Sequence, residues 1–572
     1  MGSRCGTAGR CPGRANHQPP TWLDAWGQEH ALLIGLVLAL IGITVARAWV
    51  VVHVNAGLHV DEAQYWAWSK ALDWGYYSKP PMIAALIALS TALLGDGLLG
   101  VKALAMLCYP LTAWVLFRWV SEVLTDVSTQ ACATPERGGR LAALLFIASP
   151  VAGLLGMAAT TDAPLLLAWA LASMALWRAW RDGRARDWLS LGLWVGLGLM
   201  SKYTMAAFAV SALGLLWTVP RTAPRQIATA RGLTLAVAIA LLCVAPNLAW
   251  NAAHDWPTLR HTAEITVGAR STPMWSTLGL YLGGLTLLLG PVVAPWSLAW
   301  RWGKAQTRQQ VGVDPVQPSR SGATRRDAWL AAAWLSGPLL LIGAVQSLHA
   351  RAQLNWTAPV LIGAVLAVAL WLRAEQPQRR LRGWYVALAL QVGLIGLVTL
   401  ANDLAHMLHW PLPRQLDVWA RMRGWDEAFN QLRPAAESFW QQLQAGAGAE
   451  DATPVVLGSD RAVLANGSYA WRKRPPHWLA WRDAGEPAHN HFQLTAPVQA
   501  ADRPVPLLIV SEGPPDTALR AALDAPPQRL AVADVQQSPG RSLHLELWQG
   551  ELAPQPVMAQ APGRAQAQAP SR

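Results

Sequence analysis

Residues 31–54 contain a single formal charge, Arg47, and no proline, and apolar runs of the same kind recur over the first two-thirds of the 572-residue chain. A helix rising about 1.5 Å per residue crosses the ~30 Å hydrocarbon core of a bilayer within such a run and satisfies its own backbone polar groups there. The first run is too long for a signal-peptide core and no small-residue cleavage site follows it, so it reads as a retained anchor. Further runs lie at 98–118, 141–158, 163–180, 188–201, 203–219, 232–250, 276–300, 328–346, 357–373 and 384–402. Together they predict about eleven spans and a mainly α, polytopic transmembrane helix bundle. The two runs meeting at Lys202 are short; they read either as half-helices joined at a polar break or as one long tilted helix.

A content of 53% hydrophobic and 14% charged residues excludes an ordinary soluble protein of this length. The 33 tryptophans beside 6 phenylalanines suit many lipid–water boundaries, where indole rings favour the headgroup level. The net charge of +12 does not call for a nucleic-acid partner, because the arginines stand singly or in short groups between apolar runs. The tail and the loops 118–140, 178–187, 220–231, 301–326 and 373–382 hold about 23 Lys and Arg, and the loops of the opposite face about six. That asymmetry predicts a cytoplasmic N-terminus. It places Asp61, Lys79, Asp162, Lys202, the 254–256 loop and the 351–356 loop on the outer face. None of the five cysteines falls on that face, so no structural disulfide is expected there.

Residues 1–25 read as a disordered cytoplasmic tail, 26–402 as the transmembrane domain with an outer loop at 55–97, and 551–572 as a second disordered tail. Between 403 and 550 hydropathy falls. An amphipathic helix at 415–446, strands at 454–458, 506–510 and 542–548, and a helix at 516–523 predict a small α/β domain outside the membrane. There is no internal repeat, phosphate-binding loop, dinucleotide fingerprint or zinc-spaced Cys/His cluster.

The chemistry-bearing residues gather at 59–81, directly after the first span. Asp61 and Glu62 are adjacent, aromatic residues follow, and Lys79 stands before Pro80 and Pro81. Helical spacing puts Asp61, Tyr65 and Ser69 on one face and Glu62 and Trp66 on the next, while Gly75 and the prolines must turn the chain. Either acid would serve as general base toward an acceptor hydroxyl or hold a cation near a phosphate; both also suit a plain helix N-terminus. Lys79, on a stiff turn, would present its ammonium to a lipid phosphate, or would simply snorkel to the interface. Tyr76 and Tyr77 serve equally as interfacial anchors or substrate contacts. Asp162 opens a span as a capping residue followed by proline, and is also a second outward carboxylate. Lys202 and Tyr203 interrupt an apolar stretch, where a lysine at membrane depth is a functional candidate. Arg351 would bind phosphate, and Asn355 and Trp356 would meet a sugar. The pair His254 and Asp255 offers less.

The segment around Asp61, Glu62, Tyr65, Trp66, Asp73, Tyr76, Tyr77, Lys79, Pro80 and Pro81 resembles the first outer loop of the C-type glycosyltransferases related to dolichyl-phosphate-mannose protein mannosyltransferase and lipid A aminoarabinose transferase. Thr161–Pro164, Gly198–Tyr203 and Gln353–Trp356 resemble that family's later landmarks, in the same order. The resemblance implies the C-type fold and an integral inner-membrane transferase. Such an enzyme takes a sugar from a polyprenyl phosphate, such as undecaprenyl phosphate, with inversion. The acceptor would be lipid A, a glycolipid, a polysaccharide or a protein, met at the periplasmic face. It implies that Asp61 is the catalytic carboxylate, that Asp162 is the second acid of the site and that Lys79 contacts the lipid phosphate. Together with the reading of the residues themselves, the expected catalytic set is Asp61, Asp162 and Glu62, with Lys79, Lys202, Tyr203 and Arg351 on the donor phosphate and Tyr65, Trp66, Tyr77, Asn355 and Trp356 on the sugar or acceptor. The aminoarabinose transferases carry an acid immediately before the corresponding lysine, where this chain has Ser78. Participation of a divalent metal, and the metal ligands, therefore stay open, and no other cofactor is implied. A transporter, flippase or diphosphate-dependent ligase is the alternative, but the candidate charges cluster at one surface instead of recurring within several spans.

Overall fold

The computed structural model describes residues 22–128, 135–219, 223–267, 274–290, 323–349, 354–375, 378–410, 412–413, 416–447, 454–483, 486–498 and 505–553. The helical part runs through α1 (Trp22–Val54), α2 (Val60–Ser69), α3 (Met82–Leu94), α4 (Leu98–Asp126), α5 (Pro135–Ile147), α6 (Pro150–Leu155), α7 (Asp162–Asp182), α8 (Ala185–Ser201) and α9 (Ala207–Thr218). It continues through α10 (Ala223–Ala253), α11 (Pro257–Val267), α12 (Met274–Leu289), α13 (Arg325–His349), α14 (Val360–Glu375), α15 (Gln378–Thr399) and α16 (Ala401–Met407).

Among the described residues five helices are long and apolar enough to cross a membrane, and α15 with α16, bent by 66°, make a sixth when taken together. The chain is a multi-pass membrane protein. The run expected at 141–158 is divided, because Ser149 caps a new helix whose first residue is Pro150. The run at 276–300 lies partly outside the described residues. At Lys202 the two-helix reading holds: α8 stops at Ser201, Lys202 is extended (φ −162°, ψ 133°), and a 3₁₀ turn at Tyr203–Ala206 leads into α9. The segment 55–97, expected as an outer loop, is more ordered than a loop. It folds as α2 and α3 around a turn, and the 13 residues of α3 extend only ~20 Å, short of a full crossing.

Tryptophan placement departs from the boundary expectation. Trp68, Trp119, Trp169, Trp177 and Trp188 are among the most completely buried side chains of the helical part, so part of the indole bias fills the bundle core.

The C-terminal domain comprises α17 (Trp425–Ala447), β1 (Val455–Gly458), α18 (Arg461–Ala470), β2 (His477–Ala480), α19 (His491–Thr495), β3 (Val505–Ser511), α20 (Thr517–Ala521), β4 (Gln528–Ser538) and β5 (Arg541–Leu552). Its sheet has the order β2-β1-β3-β5-β4, with β1 parallel to β2 and β3, and β5 antiparallel to β3 and β4. The amphipathic helix starts ten residues later than expected because Gly424, at φ +87°, turns the chain immediately before Trp425. Phe429 and Leu432 of α17 pack on Val535 and Leu545 of the sheet.

Candidate active site

Asp61 stands in the first turn of α2, which begins with a reciprocal cap. His59 Nδ1 accepts from the Asp61 N–H at 3.3 Å, and Glu62 Oε2 accepts from the His59 N–H at 2.9 Å. The Asp61 side chain stays 45% exposed, and its Oδ1 accepts from Arg461 Nη2 at 2.9 Å. Arg461 belongs to the C-terminal domain, and its Nη1 also donates to Gln64 Oε1 at 3.1 Å.

Glu62, expected beside Asp61 in the catalytic set, faces elsewhere. Lys102 Nζ donates to its two oxygens at 2.7 and 2.8 Å, and the Ala159 N–H donates at 2.8 Å. Both side chains of this ion pair are 2% exposed. Consecutive helical residues project about 100° apart, so adjacency in sequence separates the two acids in space.

Three expected residues from distant segments do meet. Asp162, at the start of α7, accepts from Lys202 Nζ at 2.7 Å and from Asn355 Nδ2 at 3.0 Å. The break after α8 presents Lys202, and the 3₁₀ turn Leu354–Thr357 presents Asn355. Asp162 and Lys202 are both buried, which keeps this pair in a setting where charge is felt strongly.

Lys79 is positioned by a stack of contacts. Tyr76 lies on Trp68 with ring centroids 4.4 Å apart, its hydroxyl donates to the Trp68 carbonyl at 3.1 Å, and its N–H donates to the Lys79 carbonyl at 3.2 Å. Asp73 Oδ2 accepts from Trp250 Nε1 at 2.6 Å, Asn247 Nδ2 donates to the Trp74 carbonyl at 2.7 Å, and Thr258 Oγ1 donates to the Tyr76 carbonyl at 2.8 Å. Gly75 sits where a Cβ would come within 2.3 Å of the Trp250 ring, so only glycine lets the turn approach α10. Among the described residues the Lys79 ammonium has no hydrogen-bond or ion-pair partner. Burial, and then the nearby Lys202, lower its pKa to about 8.

Lys79, Lys202, Tyr203 and Trp356 line one cavity of about 220 Å³, closed on another side by Leu339, Ile342 and Gly343. The Tyr203 hydroxyl donates to Asn247 Oδ1 at 2.5 Å and accepts from Asn251 Nδ2 at 3.2 Å. Tyr65 is buried against Trp68, and burial together with Asp61 raises its pKa, which keeps the phenol protonated. Trp66 and Tyr77 are not on the cavity wall. Trp66 Nε1 donates to Asp96 Oδ1 at 2.8 Å and its ring meets Tyr469 edge-on, while Tyr77 packs on His261 and donates its N–H to His491 Nδ1 at 3.4 Å. His254 is held on the Trp250 ring and carbonyl, away from this set. Arg351 lies outside the described residues. Among the described residues no group of three or more His, Cys, Asp or Glu side chains is placed to hold a metal ion. The charged side chain in contact with Asp61 is a guanidinium, which makes no cation cage.

Sequence reasoning missed Arg461, Lys102, Asn247 and Trp250. A lysine in the apolar run 98–118 was a legible signal for Lys102, since such a charge needs a partner. Arg461 carries no such mark.

The family model for dolichyl-phosphate-mannose-protein mannosyltransferase matches residues 78–250, which include Lys79, Asp162, Lys202 and Tyr203. The chain is 29% identical over 471 residues to lipid A galacturonosyltransferase RgtD of Rhizobium johnstonii, covering 80% of this chain and 87% of that protein. Its fold is similar to that of ArnT from Cupriavidus metallidurans in the apo state (TM-score 0.54, 12% identity, 91% of this chain and 98% of that one). It is likewise similar to the same protein bound to undecaprenyl phosphate (TM-score 0.56, 13% identity, 90% and 98%). With a family model matched over residues 78–250, this sequence relative and this fold, the chain is a membrane glycosyltransferase similar to the PMT and ArnT proteins.

Proposed function

We propose that this glycosyltransferase moves a sugar from a polyprenyl phosphate to a lipid acceptor of the lipid A type at the outer, periplasmic face of the inner membrane, with inversion. The observation that carries the reading is Lys79: a desolvated ammonium with no hydrogen-bond or ion-pair partner among the described residues, on a rigid turn at a cavity whose other walls include Leu339, Ile342 and Trp356, suits an anionic headgroup on an apolar tail. Two relatives support it. One is a lipid A galacturonosyltransferase, and a protein of the same fold was solved with undecaprenyl phosphate.

In this reading Lys79 and Lys202 neutralise the donor phosphate as it departs. Asp61 takes the proton of the acceptor hydroxyl while the oxygen lone pair forms the bond to the anomeric carbon, and the electron pair of the breaking C–O bond leaves with the phosphate. Asp162, held by Lys202 and Asn355, orients the phosphate-binding lysine. Tyr203 and Trp356 border the headgroup, and Tyr65 stands near both acids. Glu62 aligns α2 with the turn before α7. Trp66 and Tyr77 anchor the outer segment.

Purified full-length protein incubated with labelled sugar on polyprenyl phosphate, and separately on the diphosphate, tests the donor. Transfer from the monophosphate is expected; turnover of the diphosphate alone would overturn the reading. The Lys79 ammonium is present below pH about 8 and lost above it, so kcat/KM for the donor is expected to fall as pH rises through about 8. In Lys79→Arg the guanidinium stays charged and that alkaline fall should vanish. An unchanged profile in the arginine variant would remove Lys79 from the phosphate site.

A further inference from the structure

We propose that Arg461 is a positioning residue through which the C-terminal domain controls Asp61. Its guanidinium occupies the carboxylate at rest and transfers to an oxyanion, phosphate or carboxylate, on an arriving substrate. The inference rests on the reading of Asp61 as general base.

The contact itself sets the problem. Asp61 Oδ1 accepts from Arg461 Nη2 at 2.9 Å, and a guanidinium at that distance stabilises the ionised carboxylate and makes its second oxygen a poorer base toward a hydroxyl proton. Parting the pair restores that basicity for the transfer. Both side chains are exposed enough to move, 39% for Arg461 and 45% for Asp61, and an ion pair so open to water is weak enough for a second oxyanion to displace.

The position of Arg461 is independently informative. It is the first residue of α18, at the positive end of the helix dipole, where a cation is disfavoured. The helix end does not need it, because Asp460 already accepts from the Ala462 and Val463 N–H groups. What Arg461 faces is Asp61 and Gln64, across the domain boundary. Other contacts hold the domain in place when Arg461 lets go. The Tyr469 hydroxyl donates to the Asp96 carbonyl at 3.0 Å, Trp66 packs edge-on against Tyr469, and His491 accepts from the Tyr77 N–H.

Neither Arg461 nor Asp61 lines the cavity of Lys79 and Lys202, so the oxyanion is sought on the groups that meet Asp61 and not on the phosphate held by the two lysines. Two sources remain: an anionic group on the acceptor, or a carboxylate on the transferred sugar. As the guanidinium moves to that group, Asp61 is left unpaired beside the acceptor hydroxyl. It then takes the hydroxyl proton as the acceptor oxygen bonds to the anomeric carbon and the phosphate leaves with its electron pair.

The test uses the full-length protein in detergent and titrates two soluble probes calorimetrically, diglucosamine 1-phosphate and methyl galacturonoside, each beside its neutral counterpart. At least one anionic probe should bind the wild type more tightly than its neutral partner. That preference should fall roughly 10- to 100-fold in Arg461→Ala and be partly restored in Arg461→Lys. The probe that responds identifies the source. In turnover with the matching substrate, the loss in Arg461→Ala should fall on KM more than on kcat. An equal affinity of wild type and Arg461→Ala for both anions, or a loss confined to kcat, would overturn the proposal. The binding arm needs no turnover, so a failed transfer assay would count against the proposed reaction and leave the Arg461 result to stand or fall by itself.

Discussion

Replacing Asp61 by asparagine is expected to lower the rate of sugar transfer about a hundred- to ten-thousand-fold, the range spanned by removal of a positioned general base. Donor binding and thermal stability should stay close to wild type. Asparagine has nearly the same shape and its carbonyl oxygen still accepts from Arg461, and the cap of α2 survives because it uses the backbone N–H of residue 61, the His59 ring and Glu62, not the Asp61 side chain. The carboxylate is 45% exposed, so neutralising it leaves no charge stranded in a dry interior. A merely structural Asp61 would give the opposite pattern, a fall in stability with the rate per folded molecule kept. Single-turnover transfer from labelled donor, beside thermal unfolding in the same detergent, separates the two. A rate within a few fold of wild type would remove Asp61 from the chemistry.

The parts of the site that could be read in the sequence are those where a residue is costly unless it has a use. A lysine after an apolar run and an aspartate before one are expensive at a membrane, and Lys202 and Asp162 do pair, with Asn355 completing the set. Lys79 before two prolines announced a stiff turn, and its neighbours Tyr76 and Gly75 are packed as such a turn requires. Arg461 could not be read. On α18 it is one arginine among ordinary helical residues, and its partner is 400 residues away, a pairing that only the docking of two domains creates. In the C-terminal domain the missed strand β4 alternates buried and exposed residues as an edge strand should, but its Gln, Arg and Asp content hid the apolar face. Strand β2 has four residues, too few for an alternating pattern to show. The short helix α3 went unseen because its apolar run is only about two-thirds the length of a crossing.

Glu62 and Lys102 make the other large effect, on stability instead of rate. Lys102→Met should destabilise the protein by about 3–5 kcal/mol, because it leaves the Glu62 carboxylate buried beside one side chain fewer than it needs. The double variant Glu62→Gln with Lys102→Met should recover much of that loss, since removing both charges abolishes the desolvation penalty together with the attraction. Glutamine keeps one oxygen acceptor, enough for the N–H of either His59 or Ala159 but not both, so the tie between the start of α2 and the turn that leads into Asp162 is weakened at one of its two ends. No reacting group is altered, so the double variant should retain much of its transfer rate per folded molecule, whereas Asp61→Asn does not. Equilibrium unfolding and transfer rate measured on the three proteins decide the matter. A double variant that is folded and stable yet as inactive as Asp61→Asn would return Glu62 to the reacting groups, and a stable, fully active Lys102→Met would mean the buried pair does not hold the outer segment in place.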